Sequence, residues 1–345
     1  ALPSELGQAA QIVAQVIRLE QQAKAMRLPK SPLAAGDGAL PTDPGRLYEA
    51  AMPRLVALID QAGTVSPALG DEAGALLARL HRTQYDPPDG WFAVPGEIAA
   101  GPNAKDLLGV LRGRPVRPLR LADEPGGDSG ITLPAVVLPE ASLPEVEVPL
   151  GPPSRSLRFD DLAEEYARWF AAARIRPEHR DSADWHLTML RQSRARYDAV
   201  GKRLGVPWYF IAAVHGLEAS FNFRAHLHNG DFPLSQRTRQ VPSGRPLRWL
   251  PPSAWEDSAS DALRLMGFAG QSDWSLPRVL YRLEAYNGFG YRRAGRVSPY
   301  LWSFSTLYDR GKFVADGKFD PRARSQQCGA GVMLKVLADA GGLSS

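Results

Sequence analysis

One stretch constrains this chain more than any other: residues 205–223, GVPWYFIAAVHGLEASFNF. Pro207 sits where a helix can begin without forfeiting a needed donor, and the residues after it are apolar on nearly every face, the pattern of a helix buried all round. Such a helix should not carry a carboxylate, yet it carries Glu218, with Ile211, Val214 and His215 one or two turns back on the same face. Desolvation by those neighbours is expected to raise the Glu218 pKa. A carboxyl still protonated near neutrality is what a general acid requires. The competing expectation is a satisfied buried acid paired with an arginine, since structural ion pairs perturb pKa values as well.

The 345 residues suffice for two ordinary domains. No apolar run approaches the length that crosses a bilayer, so no membrane span is expected. Ala1 in place of an initiator methionine suggests a processed or trimmed form. Cys328 is the single cysteine, which excludes an internal disulfide and a cysteine metal cluster and points to a packing role. Basic residues outnumber acidic ones, 41 to 37, for a net charge of +4. That balance suits an anionic partner such as an acidic wall polymer or nucleic acid. Arginines gather at Arg191, Arg194 and Arg196 and at Arg292, Arg293 and Arg296; solvated faces are the simpler reading of both groups.

Taken in order, residues 4–26 form an amphipathic pattern, with Leu6, Ala10, Val13, Val16, Ile17 and Ala23 on its apolar stripe. Helical patterns over 46–62 and 67–82 complete a small helical unit. From residue 85 to 153 the texture shifts to short apolar runs broken by Pro and Gly, such as WFAVPG and ITLPAVVLP, suited to short strands or extended segments. The expected organisation is an N-terminal accessory region over 1–121, a Pro-rich linker or extended segment over 122–156, and a helical domain over 157–345, giving a mainly α chain. In that last part helices are expected over 160–173, from Ser182 to a stop at Gly205, from Ser253 (with Glu256 in capping-box spacing) to Met266, over 275–286, and from Asp320-Pro321 to Leu337, where Gly329 and Gly331 permit close helix packing.

Polar and aromatic residues concentrate in three loops: 223–244, with His226, His228, Asn229, Asp231, Gln236 and Thr238; AYNGFGYR at 285–292; and SPYLWSFS with GKFVADGKFD across 298–320. Sugar rings stack on aromatic planes, so a surface lined this way suits a polysaccharide, although buried aromatics also simply fill cores. Tyr286, Tyr291 and Trp302 are the best candidates for the first role because they lie in or beside Gly-rich turns.

Glu218-Ala219-Ser220 and Ala285-Tyr286-Asn287-Gly288 together resemble the lysozyme-like soluble lytic transglycosylases, in which a helix-borne Glu followed by Ser is joined by an Ala-Tyr-Asn motif. The resemblance covers residues from about 160 to 337 and is closest to a branch of lysozyme-family proteins carrying HNGD, YNGFGYR and SPYLWSFS, matched here by LHNGD, YNGFGYR and SPYLWSFS. It implies a lysozyme-like helical catalytic domain that acts on the MurNAc–GlcNAc bond of peptidoglycan, with Glu218 as general acid and then base and Tyr286 steadying it or the scissile sugar. Ser220, His228, Asn229, Asp231, Asn287, Tyr291 and Trp302 are the companion candidates for substrate contact. No cofactor is implied. Peptidoglycan strands are the expected partner, with a cell-envelope or phage-particle protein at the N-terminal region, and the expected location is extracytoplasmic or aboard a phage. Two departures from the family pattern stand out: Ala219 follows Glu218 where the family has Ser, and LHNGDFPLSQRT occupies the place of a Gly-Leu-Met-Gln loop.

The residues agree with that chemistry independently. Glycosidases commonly use two carboxylates at a set separation, whereas only Glu218 here has an apolar setting. Internal attack by the substrate's own 6-hydroxyl needs just one acid. A hydrolytic muramidase would need a second carboxylate, for which Asp231 is the candidate. His215, spaced His-x-x-Glu from Glu218, and His226-x-His228 make a zinc site formally possible, but the spacing matches no standard metal motif, and hydrogen bonding is the expected role. A non-catalytic wall-binding or assembly protein and a nucleic-acid binder are the rivals from other classes.

Overall fold

The computed structural model describes residues 3–34, 38–84, 150–315 and 318–343, and those residues are mainly helical. The WFAVPG and ITLPAVVLP segments, and most of the expected linker, lie outside them. The N-terminal part is three packed helices, α1 (Pro3–Ala25), α2 (Pro44–Ala62) and α3 (Pro67–Arg82). Pro at the first turn of α2 and of α3 costs no hydrogen bond and presets φ for the helix. The buried stripe of α1 runs Ala9, Ile12, Val16, Leu19 and Ala23, rotated from the expected one. Leu6 and Ile17 are 46% and 41% exposed, because α2 and α3 cover one flank of α1 and leave those two outside.

Helices α4 (Ala163–Ala172), α5 (Arg180–Gln192), α6 (Arg194–Leu204) and α7 (Trp208–Ala219) follow. The helix expected from Ser182 to Gly205 is two helices, broken at Ser193, whose backbone leaves helical geometry (φ −100°, ψ 17°). Gly205 does end α6, in the left-handed conformation at φ 69°. Every residue of α7 is buried, and it packs against α5, α6, α12 (Ala330–Asp339) and α9 (Leu276–Asn287). Between α7 and α9 lie a long loop and α8 (Trp255–Leu265). The capping box expected at Ser253 does not form: Ser253 has φ 53°, and Glu256 reaches across to Arg196 at 2.6 Å. Asp320 does not open a helix either. It closes the second strand of a small antiparallel hairpin, β1 (Lys312–Ala315) with β2 (Lys318–Asp320), and α12 begins ten residues later.

Short helices α10 (Gly290–Arg293) and α11 (Pro299–Trp302) complete the set. A Cβ added at Gly329 would stand 2.4 Å from the Leu301 carbonyl oxygen, and one at Gly331 2.8 Å from the same atom, so both glycines let α11 lie directly on the start of α12. Gly329→Ala forces backbone apart from backbone. It is expected to cost about 1–3 kcal/mol, read as a lower urea midpoint with unchanged slope.

The three N-terminal helices do not stand off as a separate body. Their buried residues belong to one continuous apolar core with those of the C-terminal helices. Polar bonds tie the two parts together as well: Asn222 Nδ2 to the Gly74 carbonyl, Arg224 to Asp71, Arg82 to Asp231, and Gln326 to the Pro44 carbonyl. Residues 150–156, placed in the linker by sequence, are anchored too, with the Ser154 amide donating to Glu165 at 2.7 Å and Leu150 packed on the core.

Within the two arginine groups, Arg194, Arg196 and Arg292 pair with carboxylates. Arg292 is buried, bonded to Glu165 and Glu284 at 2.6 and 2.8 Å, and is not part of a solvated face. Arg194 and Arg196 pair with Asp198 and Glu256.

Candidate functional site

Glu218 lies in the last turn of α7 and is 5% exposed. Burial raises its pKa from the ordinary carboxyl value of 4.5 to about 8, and a hydrogen bond from Tyr300 acts in the opposite direction. Among the described residues it pairs with no arginine; its Oε1 accepts the Tyr300 hydroxyl at 2.9 Å. At pH 7 the side chain is therefore a protonated acid held by one phenol. Tyr300 reaches it from α11, whose seat on α12 depends on Gly329 and Gly331.

The segment 226–231 folds against the same end of α7. Gly230 adopts φ +69°, and a Cβ there would stand 2.3 Å from the Glu218 carbonyl oxygen, so only glycine fits this close approach. The Asn229 side chain closes a local turn by accepting the Asp231 amide at 3.0 Å, and its Nδ2 donates to the Gln240 and Val241 carbonyls. Asp231 accepts the backbone amides of Arg239 and Gln240 on one oxygen and Arg82 on the other. His228 donates through Nε2 to the Asp261 carboxylate at 2.8 Å, and Asp261 is clamped in turn by Arg245. These residues stabilise the loop that borders α7, and all three of His228, Asn229 and Asp231 are buried.

The remaining sequence candidates are placed differently from expectation. Tyr286 donates to the Leu227 carbonyl at 3.0 Å and stacks on Phe268, so it braces the 226–231 segment. Tyr291 receives the Phe313 amide on its hydroxyl, and Trp302 packs on Trp169 and against Gly331. All three aromatics are buried, and Asn287 with them, which gives Tyr291 and Trp302 packing roles in place of the sugar-stacking role expected of residues beside Gly-rich turns.

Ser220 is also buried. Its hydroxyl lies 2.8 Å from the Tyr48 hydroxyl and 2.7 Å from His81 Nδ1, both on N-terminal helices.

The histidines do not converge. His215 Nδ1 meets the Tyr197 hydroxyl, and His226 meets the Ser258 hydroxyl and the Gln236 carbonyl. Desolvation lowers the His215 pKa to about 3 and that of His226 to about 4, so both are neutral at pH 7. Among the described residues no group of three or more His, Cys, Asp or Glu is arranged to hold a metal ion.

Sequence reading missed Tyr300 as the acid's partner, although it lies in the SPYLWSFS string. It also missed Tyr48 and His81, for which the local sequence carries no signal: a single His beside Arg82 at a helix end, and a Tyr on an apolar stripe.

The chain matches no protein-family model, no curated protein and no solved structure.

Proposed function

We propose that this chain is a peptidoglycan-cleaving lytic transglycosylase built on a lysozyme-like helical domain, with Glu218 as its single acid–base group. The observation that carries the reading is a carboxyl buried among apolar side chains, unpaired with any cation among the described residues and held by a phenol, with a pKa of about 8. In the reaction Glu218 gives its proton to the bridging glycosidic oxygen as the bond from that oxygen to the MurNAc anomeric carbon breaks. The resulting carboxylate takes the proton of the MurNAc 6-hydroxyl while that oxygen bonds to the anomeric carbon. A 1,6-anhydro ring forms, the GlcNAc end leaves with a new hydroxyl, and Glu218 regains its proton.

The hydrolytic alternative requires a second carboxylate free to attack or to activate water. Asp231 is a poor one, because both its oxygens are already engaged by two amides and an arginine. The role assigned to Tyr286 by resemblance, steadying the acid, falls in this reading to Tyr300. An extracytoplasmic or phage-borne location follows from such a substrate and belongs to the same proposal.

Digestion of purified sacculi followed by mass spectrometry tests the reading. Released muropeptides should carry anhydro ends, lighter by one water than hydrolysed ones; hydrated ends would establish a muramidase, and no release would leave a binding protein. Tyr300→Phe provides a finer check. Removing a donor that favours the carboxylate raises the Glu218 pKa further, so the alkaline limb of the pH–rate profile should move up by a fraction of a unit, with the acid limb unchanged.

A further inference from the structure

The two residues that follow the catalytic helix, Ser220 and Phe221, are both left-handed, with φ 50° and 58°. Non-glycine residues seldom adopt this conformation, and a pair in succession persists only where the surroundings impose it. The surroundings are visible. The Phe221 ring folds back over α7 onto Gly216, where a Cβ would stand 2.7 Å from it. The Ser220 hydroxyl is gripped from the other side by Tyr48 of α2 and His81 of α3. His81 also borders the Glu218 main chain, its ring 3.3 Å from the position of a Gly230 Cβ, which itself would touch the Glu218 carbonyl, and the Glu218 backbone is one of its hydrogen-bonding partners. Gln327, which bonds the Tyr48 hydroxyl, donates to the Leu217 carbonyl at 2.9 Å. The last carbonyls of a helix need partners, and those of α7 find them in the Ser220 and Asn222 amides, in Gln327 and, at Glu218, in His81 of α3.

We infer that α2 and α3 are a positioning element for the Glu218 carboxyl, acting through the contacts of Tyr48 and His81 on Ser220, and not an accessory binding module. His81 suits the task because burial, together with Lys312 and Arg82 nearby, lowers its pKa to about 3, so it stays neutral and its hydrogen bonding does not change across the working pH range. Holding the end of α7 fixes where the carboxyl stands and keeps water away from it. Displacements of about 1 Å at a reacting group cost on the order of 10²-fold in rate. The inference rests on Glu218 being the acid, but its physical content, control of that carboxyl's environment, can be read without turnover.

The test uses the full chain carrying Tyr48→Phe, His81→Phe or His81→Asn. Leu55→Ala serves as a control that opens a cavity in the same N-terminal helices without touching Ser220. Glu218 is titrated by NMR of its carboxyl carbon, and sacculus digestion is measured in parallel. His81→Phe should lower kcat by roughly 10- to 100-fold with KM near the wild-type value, and should move the Glu218 midpoint down by about a unit as water enters. His81→Asn, which keeps a polar partner for Ser220, should recover part of both. Leu55→Ala should lose stability while the Glu218 midpoint stays in place. If His81→Phe does not fold, Tyr48→Phe, which deletes one oxygen, carries the same expectation with a smaller shift. An unchanged Glu218 midpoint in folded His81→Phe or Tyr48→Phe protein, or an equal shift in Leu55→Ala, overturns the inference. Absence of digestion by the wild-type chain would overturn the proposed reaction instead, and the titration would still decide this point.

Discussion

Glu218→Gln should abolish glycan cleavage and at the same time stabilise the protein increasingly as pH rises. Loss of a general acid lowers rates by roughly 10²- to 10⁴-fold, and with no second carboxylate among the described residues positioned to substitute, no residual pathway is expected. The stability effect follows from linkage. The folded-state pKa, about 8, lies above the ordinary 4.5. Between those values the folded chain keeps a proton that the unfolded chain has released, so this group lowers stability progressively as pH rises from about 4.5 to 8. At roughly 1.4 kcal/mol per unit, the stability of Glu218→Gln relative to wild type should grow by about 3–4 kcal/mol between pH 5 and pH 8. Urea unfolding of both proteins at the two pH values measures it. A difference that does not vary with pH would mean that Glu218 ionises normally in the fold. In the proposed reaction, an acid held at such a cost is the usual trade between activity and stability.

Arg292→Met should be the most destabilising of the changes considered. The Arg292 guanidinium, 5% exposed as a side chain, bonds Glu165 at 2.6 Å, Glu284 at 2.8 Å and the Ser154 carbonyl at 3.0 Å. Tyr166 donates to the same Glu284 carboxylate, and the guanidinium sits 5.0 Å from the Tyr166 ring centroid. Removing the cation leaves two buried carboxylates without their shared partner. Breaking a buried pair in this way typically costs about 3–5 kcal/mol. A midpoint within 1 kcal/mol of wild type at pH 7 would show that the cluster contributes little.

The central feature was legible because it is local. An apolar run of helix length with a single carboxylate near its end signals burial and a raised pKa without reference to the rest of the chain, and the structure has both. The glycines at 329 and 331 were legible for the same reason, as small residues at the start of a helix. Elements were misread where a distant partner decided the outcome. The Ser253 and Glu256 pair has the right spacing, but Arg196 on another helix captures Glu256. The pattern from Ser182 to Gly205 fits one long helix, yet the chain breaks at Ser193, where the backbone leaves helical geometry. Asp320-Pro321 has the form of a helix start, while the pairing of Phe313 with Phe319 makes the residues before it a hairpin. The site divides the same way. Glu218 is readable, but its contact with Tyr300 spans 82 residues and that of Ser220 with His81 spans 139, and no spacing rule reaches so far. Aromatics beside Gly-rich turns suggested sugar-binding surfaces, whereas Tyr291 and Trp302 are buried, packed on Phe313 and on Trp169.

Titration of the Glu218 carboxyl in the wild-type chain, followed by carbon NMR with the Glu218→Gln protein to assign the signal, bears most directly on the whole account. A midpoint near pH 8 is expected, with the group protonated through neutrality; a midpoint near 4 to 5 would mean a solvated or ion-paired carboxylate and would contradict a general acid at this position.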